Sequence, residues 1–128
     1  MLYVWGRNSD GQCGEQAREQ AGPRDCVAMP RHIRMPAAVV HVSCGTGQQG
    51  CTFATCDDGS LWTFGNGAGG RLGHGTDASQ RSPRRVEALA ALRVVRTAAG
   101  DHHALAVCDD GALFPWGHDR AGEPYAML

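Results

Sequence analysis

The chain has 128 residues and a formal net charge of −1, which suffices for one ordinary domain and gives no positive field for nucleic acid or an anionic membrane. It opens on strand-like sequence with no signal-peptide pattern and has no apolar run of transmembrane length, so we expect cytoplasmic or nuclear residence. We expect its 6 cysteines to be reduced in that compartment.

In chain order, the first predicted strand covers residues 2–6, and a glycine-bounded turn covers residues 7–14. Residues 15–36 contain three prolines and scattered charge. This composition predicts a long surface loop with a short outer strand near residues 25–29. The next predicted strand covers residues 39–43.

A hairpin is predicted at residues 52–64, where a small and apolar run leads up to Asp58-Gly59 and an aromatic run leads away from it. A second copy of this pattern covers residues 104–117 and carries Gly111 at the turn. Asp-Gly favours a two-residue turn with positive φ at glycine. We therefore expect positive φ at Gly59 and Gly111.

Residues 82–99 support two interpretations. Taken alone they favour a helix that ends at Gly100, because a serine and a proline begin the segment and alanine and leucine fill it. Alignment with the earlier copy instead predicts an outer strand at residues 85–88, a turn at 89–92 and an inner strand at 93–98. We prefer the alignment, because helix propensity is a weak guide that tertiary context overrides.

The sequence is an internal repeat. The two hairpins end at Gly65 and Gly117, 52 residues apart, and the strand before each hairpin also recurs, so that Gly45 matches Gly100. Gly6 ends a third, partial copy, and a second glycine follows each strand-ending glycine after five residues. A period near 50 residues is typical of propellers, whose small antiparallel sheets cover one another's faces. The predicted fold class is all-β, a partial β-propeller of antiparallel blades.

The strings LYVWGRNSDGQCG, CDDGSLWTFGNGAGGRLGHG with the downstream Pro83, and GDHHALAVCDDGALFPWG resemble the regulator of chromosome condensation repeat family. Members of that family form seven-bladed propellers. The resemblance covers most of the chain outside about residues 15–35. It implies a partial repeat at about 2–35, a repeat at about 36–88 and an incomplete repeat at about 93–128, hence about two to two and a half blades. We therefore expect a fragment of a larger protein.

Structural and contact positions follow from the repeat and the resemblance. His103 stands at the family's histidine position, where a hydrogen bond between blades is expected, although Cys51 occupies the aligned position of the earlier copy. Asp101 and His102 are the candidates for partner contact, since they fall in a surface loop. The structural repeat positions are Gly6, Gly45, Gly59, Gly65, Gly70, Gly100, His103, Gly111 and Gly117.

Three chemical alternatives are weaker. Residues 65–70 satisfy G-x-G-x-x-G, the pattern of a nucleotide-phosphate loop, but no helix is predicted after them. Cys44, Cys51 and Cys56, with His41 nearby, lack the ligand spacing of familiar zinc modules. The run of residues 101–103, Asp-His-His, lacks a nucleophile in a recognisable context. We expect no catalytic residue, no metal and no cofactor.

The expected function is a non-catalytic protein-interaction module, with a small GTPase or a ubiquitin-pathway protein as the partner that the resemblance suggests. The alternatives are guanine-nucleotide exchange on a Ran-like GTPase and a non-functional truncated remnant. The aromatic residues that recur at the strand ends are expected to pack between blades. Because an open propeller leaves the outer faces of its terminal blades bare, we also expect self-association, and Trp5, Phe114 and Trp116 to be less buried than Trp62.

Overall fold

The computed structural model describes residues 1–14, 26–46 and 50–118, and these ranges hold nine strands and no α-helix. The strands are β1 Leu2–Arg7, β2 Cys26–Ile33, β3 Val39–Cys44, β4 Cys51–Cys56, β5 Leu61–Gly65, β6 Gln80–Arg85, β7 Val94–Ala99, β8 His103–Cys108 and β9 Leu113–Gly117. Single 3₁₀ turns occur at Ala68–Gly70 and Glu87–Leu89. Within these ranges no helix is long and apolar enough to cross a membrane.

The strands form three separate antiparallel sheets, which we call the first, middle and third blades. The first blade contains β1 and β2, the middle blade contains β3, β4, β5 and β6 in that order, and the third blade contains β7, β8 and β9. The fold is all-β, a partial propeller, as the sequence predicts. The repeat boundaries themselves stay a prediction.

Both predicted hairpins form, and they share one turn geometry. In the middle blade, Cys56 N donates to Ser60 O at 2.9 Å and Gly59 N donates to Cys56 O at 3.0 Å. Gly59 has φ 83° and Gly111 has φ 86°, so the prediction of positive φ is confirmed. The expected two-residue turn is wrong, because three residues lie between the paired ends. This is a tight turn closed by a left-handed glycine, the common three-residue hairpin.

An aspartate side chain explains why the longer turn is preferred. Asp58 Oδ1 accepts a hydrogen bond from Ser60 N at 2.9 Å, and Asp110 Oδ1 accepts one from Ala112 N at 2.9 Å. Each carboxylate therefore mimics a backbone acceptor two residues before the donor, which stabilises the turn locally.

The outer strand β2 is longer than predicted. It covers Cys26–Ile33 instead of residues 25–29 and pairs with β1 over its whole length, from Leu2 opposite Ile33 to Arg7 opposite Cys26. Pro30 lies inside it, where the pairing shifts register. Proline is tolerated here because, in the part of the chain that the structure describes, β2 pairs with β1 alone, and the shift leaves room for a residue without N–H.

The segment after the middle hairpin is also corrected. The outer strand is β6 at Gln80–Arg85, earlier than the predicted residues 85–88, and a 3₁₀ turn at Glu87–Leu89 follows it. The inner strand β7 at Val94–Ala99 matches the prediction within one residue, and the helical alternative is wrong. The polar sequence of β6 does not predict a strand, because an outer edge strand needs no apolar face.

The core is divided between the two blade boundaries. At the first boundary the buried residues are Leu2, Val4, Cys13, Val27, Ile33, Ala54 and Phe64. At the second boundary they are Cys51, Phe53, Leu61, Leu72, Val86, Leu89, Val94, Ala104, Ala106, Cys108 and Trp116. Each blade therefore buries its apolar side chains against its neighbour, as propeller packing requires.

The tryptophans test the expectation about burial. Trp5 is 62% exposed, which confirms it as less buried than the half-buried Trp62. Trp116 is fully buried, with its ring 6.2 Å from that of Phe53 and its Nε1 donating to Arg71 O at 2.8 Å, so the expectation is wrong for Trp116. The reason is strand alternation: Trp116 lies on the side of the third blade that meets the middle blade.

Candidate interaction face

The odd-numbered strands all end on the same side of the blades. We call this side the loop face and define it by residues 8–14, 45–46 with 50, 66–79 and 100–102. Loops on a rigid β-scaffold are the common place for binding residues.

Glycines let neighbouring loops approach closely at this face. Gly65 has φ 109° and Gly117 has φ 102°, a conformation that side chains avoid. A Cβ at Gly65 would lie 2.5 Å from Gly50 O, and one at Gly117 would lie 2.7 Å from His103 Cα. Gly6 has the same conformation, φ 105°, but its Cβ would meet nothing within 4 Å. The difference arises because the described residues of the first blade include no counterpart of β4 or β8.

The loop at residues 8–14 of the first blade is hydrogen-bonded to the middle blade. Asp10 accepts hydrogen bonds from Asn66 Nδ2 at 3.1 Å and, more weakly, from Gly50 N at 3.4 Å. Thr52 Oγ1 donates to Gln12 O at 2.7 Å. These contacts fix the position of one loop relative to the next.

A second set of contacts joins the middle and third blades. Thr46 Oγ1 donates a hydrogen bond to Asp101 Oδ1. Ser43 Oγ lies 2.7 Å from Thr97 Oγ1, and His41 Nε2 donates to Thr97 O at 3.0 Å. The sequence pattern did not single out this contribution of His41. Strand alternation could have revealed it, because His41 and Ser43 share one side of β3.

His102 and His118 form a stacked pair beside this contact. Their ring centroids lie 4.8 Å apart at an interplanar angle of 24°, and His118 N donates to His102 O at 3.0 Å. Both rings are half-buried. His102 Nδ1 is buried and has no hydrogen-bond partner among the described residues. Gly69 leaves the space that the His118 ring fills.

The structure separates the side chains of the Asp-His-His run at residues 101–103. Asp101 is directed to Thr46 of the middle blade, whereas His102 stacks on His118. The ring of His103 lies against Gly100. A Cβ added at Gly100 would lie 2.8 Å from His103 Cε1. The hydrogen bond between blades that the resemblance implies for His103 stays a prediction.

The glycine-rich loop after β5 uses its own N–H groups internally. Ala68 N donates to Asn66 Oδ1 at 2.9 Å, Gly67 N to Ser79 Oγ at 3.1 Å, and Gly70 N to Gly67 O at 3.1 Å. Only a single 3₁₀ turn follows the strand, so no helix N-terminus faces the loop. The geometry therefore lacks the features with which a phosphate loop binds its anion.

The thiols of the zinc alternative lie apart. Cys51 and Cys56 occupy opposite ends of β4, which separates them by roughly 16 Å at the usual rise per residue. Burial raises the pKa of Cys51 to about 11, although the charge of Arg71 opposes this, and burial with Cys44 nearby raises the pKa of Cys13 to about 11. Over the described ranges, no group of three or more histidines, cysteines or acids could hold a metal ion, and no disulfide joins the six cysteines.

Comparison with known proteins agrees with the geometry. The family model described as "Regulator of chromosome condensation (RCC1) repeat" matches residues 1–51 and 58–107. The human E3 ubiquitin-protein ligase HERC2 is 32% identical over 116 residues, which is 91% of this chain and 2% of that protein.

Solved structures show the same similarity. Human WBSCR16 matches with a TM-score of 0.77 and 30% identity, over 92% of this chain and 29% of that one. Saccharomyces cerevisiae Prp20p, reported with its binding properties to Gsp1p and histones, matches with a TM-score of 0.70 and 26% identity, over 91% and 28% of the two chains. This chain thus spans less than a third of each of these proteins. With its matched repeats and its blades, the chain belongs to the regulator of chromosome condensation repeat family.

Proposed function

We propose that the chain is a non-catalytic protein-interaction module whose loop face binds the partner. The observation that supports this most is that a hydrogen bond crosses each blade boundary at the loop face, through Asp10 at the first boundary and Asp101 at the second. Side chains held on a rigid scaffold lose little conformational freedom on binding, which favours affinity.

Asp101 and His102 form the centre of the proposed contact. Asp101 is exposed beside Thr46, so its carboxylate can accept further hydrogen bonds from a partner. The half-buried ring of His102 lies beside Asp101 in the chain, and its buried Nδ1 has no hydrogen-bond partner among the described residues. The loop from Gly75 to Ser79 is exposed on the same loop face and adds Asp77. This chemistry suits a protein surface that offers hydrogen-bond donors.

Photo-crosslinking tests the position of the contact. A photoreactive amino acid at position 77 should capture a partner, whereas the same group at position 109, on the opposite side of the blades, should not. Asp101→Ala and His102→Ala should abolish capture at position 77, and Asp109→Ala is the matched control. Equal capture at positions 77 and 109 would overturn the proposal.

Guanine-nucleotide exchange is the second candidate function. It is favoured by the similarity to Prp20p, which is reported with its binding to Gsp1p. We expect this chain to leave nucleotide release from a Ran-type GTPase unchanged, because exchange needs a broad rigid surface and the described blades number three, two of them incomplete. Accelerated release of a fluorescent guanine nucleotide would establish exchange instead. A chain that neither captures a partner nor accelerates release would fit the truncated remnant.

A further inference from the structure

The outer strand of the middle blade bulges where it pairs with its neighbour. The pairing of β6 with β5 passes from Gly65 opposite Gln80 to Thr63 opposite Arg84. Residues 81–83 of β6 therefore stand opposite a single residue of β5. A bulge of this kind places extra residues outside the regular ladder and changes the direction of their side chains.

The first blade has the same bulge at residues 28–30 of β2, again opposite a single residue of the neighbouring strand. Each bulge ends in a proline, Pro30 in the first blade and Pro83 in the middle blade, and an arginine follows each proline. The residue before the proline differs. Met29 is 63% exposed, and Ser82 is exposed at the same place. Proline suits a bulge because it has no N–H to donate to the ladder, so the fold accounts for the prolines but not for the hydroxyl of Ser82.

The exposure of this edge does not depend on further blades. In the part of the chain that the structure describes, β6 is the last strand of a four-stranded sheet and pairs with β5 alone. The blades pack on one another through their sheet faces, as both core clusters show. Blades added before or after the described ones would cover sheet faces and leave the edge at Ser82 exposed.

The sequence around Ser82 matches the substrates of proline-directed protein kinases. Such an enzyme binds an extended segment, holds the proline that follows the serine or threonine in an apolar pocket, and favours basic residues beyond it. The run of residues 82–85, Ser-Pro-Arg-Arg, supplies the hydroxyl, the proline and two arginines in that order. Strand β6 supplies the extended backbone. No other serine or threonine in the sequence is followed by proline.

We propose that Ser82 is the phosphorylation site of a proline-directed protein kinase. The phosphoryl donor is ATP, which the kinase binds with Mg²⁺. Ser82 Oγ forms a bond to the γ-phosphorus, the bond from that phosphorus to the β,γ-bridging oxygen breaks, and ADP leaves with the electron pair. The hydroxyl proton passes to a carboxylate base of the kinase.

Phosphorylation lowers the positive charge of this edge. Strand β6, at Gln80–Arg85, contains three arginines and no acidic residue. A phosphoserine carries about −2 at neutral pH, which reduces the charge of the strand from +3 to about +1. The exposed Arg81 and Arg84 lie on either side of Ser82 in sequence, and guanidinium groups donate charge-assisted hydrogen bonds to phosphate. The loop face plays no part in this step, so the proposal and the proposed function fail separately.

A kinase assay on the folded 128-residue chain tests the proposal. A purified cyclin-dependent kinase with Mg²⁺ and ATP should phosphorylate the wild type at Ser82, as located by mass spectrometry. Ser82→Ala should lose this modification. Pro83→Ala should slow it by more than about tenfold, because the apolar pocket of the kinase loses the ring that it recognises. Circular dichroism establishes that each variant is folded, and a synthetic peptide of residues 77–90 is the positive control for the kinase.

Two results would overturn the proposal. One is a folded wild type that stays unmodified at Ser82 while the peptide is phosphorylated. The other is an equal rate for the wild type and Pro83→Ala, which would show that proline does not direct the kinase.

The aligned bulge of the first blade provides a matched test of presentation. In the Ser82→Ala chain, Met29→Ser together with His32→Arg recreates the run Ser-Pro-Arg-Arg on β2, where Pro30 and Arg31 are already present. Phosphorylation should then return at position 29. A folded variant without phosphate at position 29 would contradict the inference that the bulge presents the serine to the kinase.

Discussion

The middle blade and the terminal blades carry the same residue pattern in different surroundings. Phe64 of the middle blade is fully buried, whereas Trp5 at the same position of the first blade is 62% exposed. Leu61 is 1% exposed, whereas Leu113 at the same position of the third blade is 57% exposed. Burial at a repeat position is therefore decided by the neighbouring blade, which must be present on the correct side.

The same rule explains why the inward face of a terminal blade is buried like the faces of the middle blade. Trp116 belongs to a terminal blade, yet it is fully buried, because it faces inward across the second boundary. Stability in repeat proteins is carried largely by such contacts between nearest neighbours. We therefore expect substitutions at positions that face a neighbouring blade to lower the free energy of unfolding more than substitutions at positions that face outward.

The largest contrast is expected between the two aligned tryptophans. Trp116→Ala should lower the free energy of unfolding by about 3–5 kcal/mol, because it leaves a cavity in the second core cluster. Trp5→Ala should change it by less than about 0.5 kcal/mol in dilute solution, as is usual for an exposed position. Urea unfolding followed by circular dichroism measures both, and equal losses would contradict the contrast.

A smaller contrast is expected at the strand-ending glycines. Alanine at Gly117, Gly65 or Gly6 incurs the strain of positive φ in every case, about 1–3 kcal/mol. At Gly117 and Gly65 the added Cβ also meets neighbouring backbone, which should cost roughly a further 1–3 kcal/mol, whereas at Gly6 it meets open space. Thermal unfolding of the three variants should rank Gly6→Ala as the mildest, and the reverse order would count against the described packing.

Thiol reactivity distinguishes the open and closed sides of the middle blade. Cys44 is exposed, and Cys51 is buried with its pKa raised to about 11. At pH 8 an alkylating reagent should therefore modify Cys44 at least about tenfold faster than Cys51, since one pKa unit is a factor of ten in thiolate fraction. Quantitative mass spectrometry follows both sites, and denaturant should remove the difference. Faster labelling of Cys51 in the native chain would be incompatible with its burial.

The smallest effect is a pH dependence specific to the middle blade. His74 Nε2 lies 2.8 Å from Thr63 Oγ1, and Pro115 stands in place of Thr63 in the third blade. Burial, followed by the charge of Arg84, lowers the pKa of His74 below its usual 6.5. The unfolded chain then takes up a proton before the folded chain does, so folding stability should fall as the pH drops below about 6.5.

His74→Gln should reduce the slope of stability against pH in that window, while His32→Gln, at an exposed position, serves as the control. Stability curves at several pH values between neutral and mildly acidic conditions give both slopes. An unchanged slope in His74→Gln would show that His74 does not contribute to the pH dependence.

The sequence predicted the repeat, the all-β fold and most inner strands, because these depend on periodic patterns that recur at aligned positions such as Gly65 and Gly117. It did not reveal the full length of β2 or the position of β6, because outer strands are polar and tolerate proline. The expectation that Trp116 is less buried than Trp62 was wrong. Which blade a residue faces depends on its place in the strand alternation as well as on the number of blades.

The candidate site was predicted in part. Asp101 and His102 do lie in a loop at the blade ends, but their neighbours Thr46 and His118 could not be foreseen, since these contacts join segments distant in sequence. Whether Asp101 and His102 contact a partner stays a prediction. The sequence between Gly45 and Gly50 illustrates the difficulty, because three extra residues there change the spacing between the two copies.

Acrylamide quenching of single-tryptophan chains tests the central claim most directly, namely that the neighbouring blade decides burial. Three chains retain only Trp5, Trp62 or Trp116, with phenylalanine at the other two positions. We expect strong quenching for Trp5, intermediate quenching for Trp62 and almost none for Trp116. Equal quenching of Trp5 and Trp116 would contradict the account.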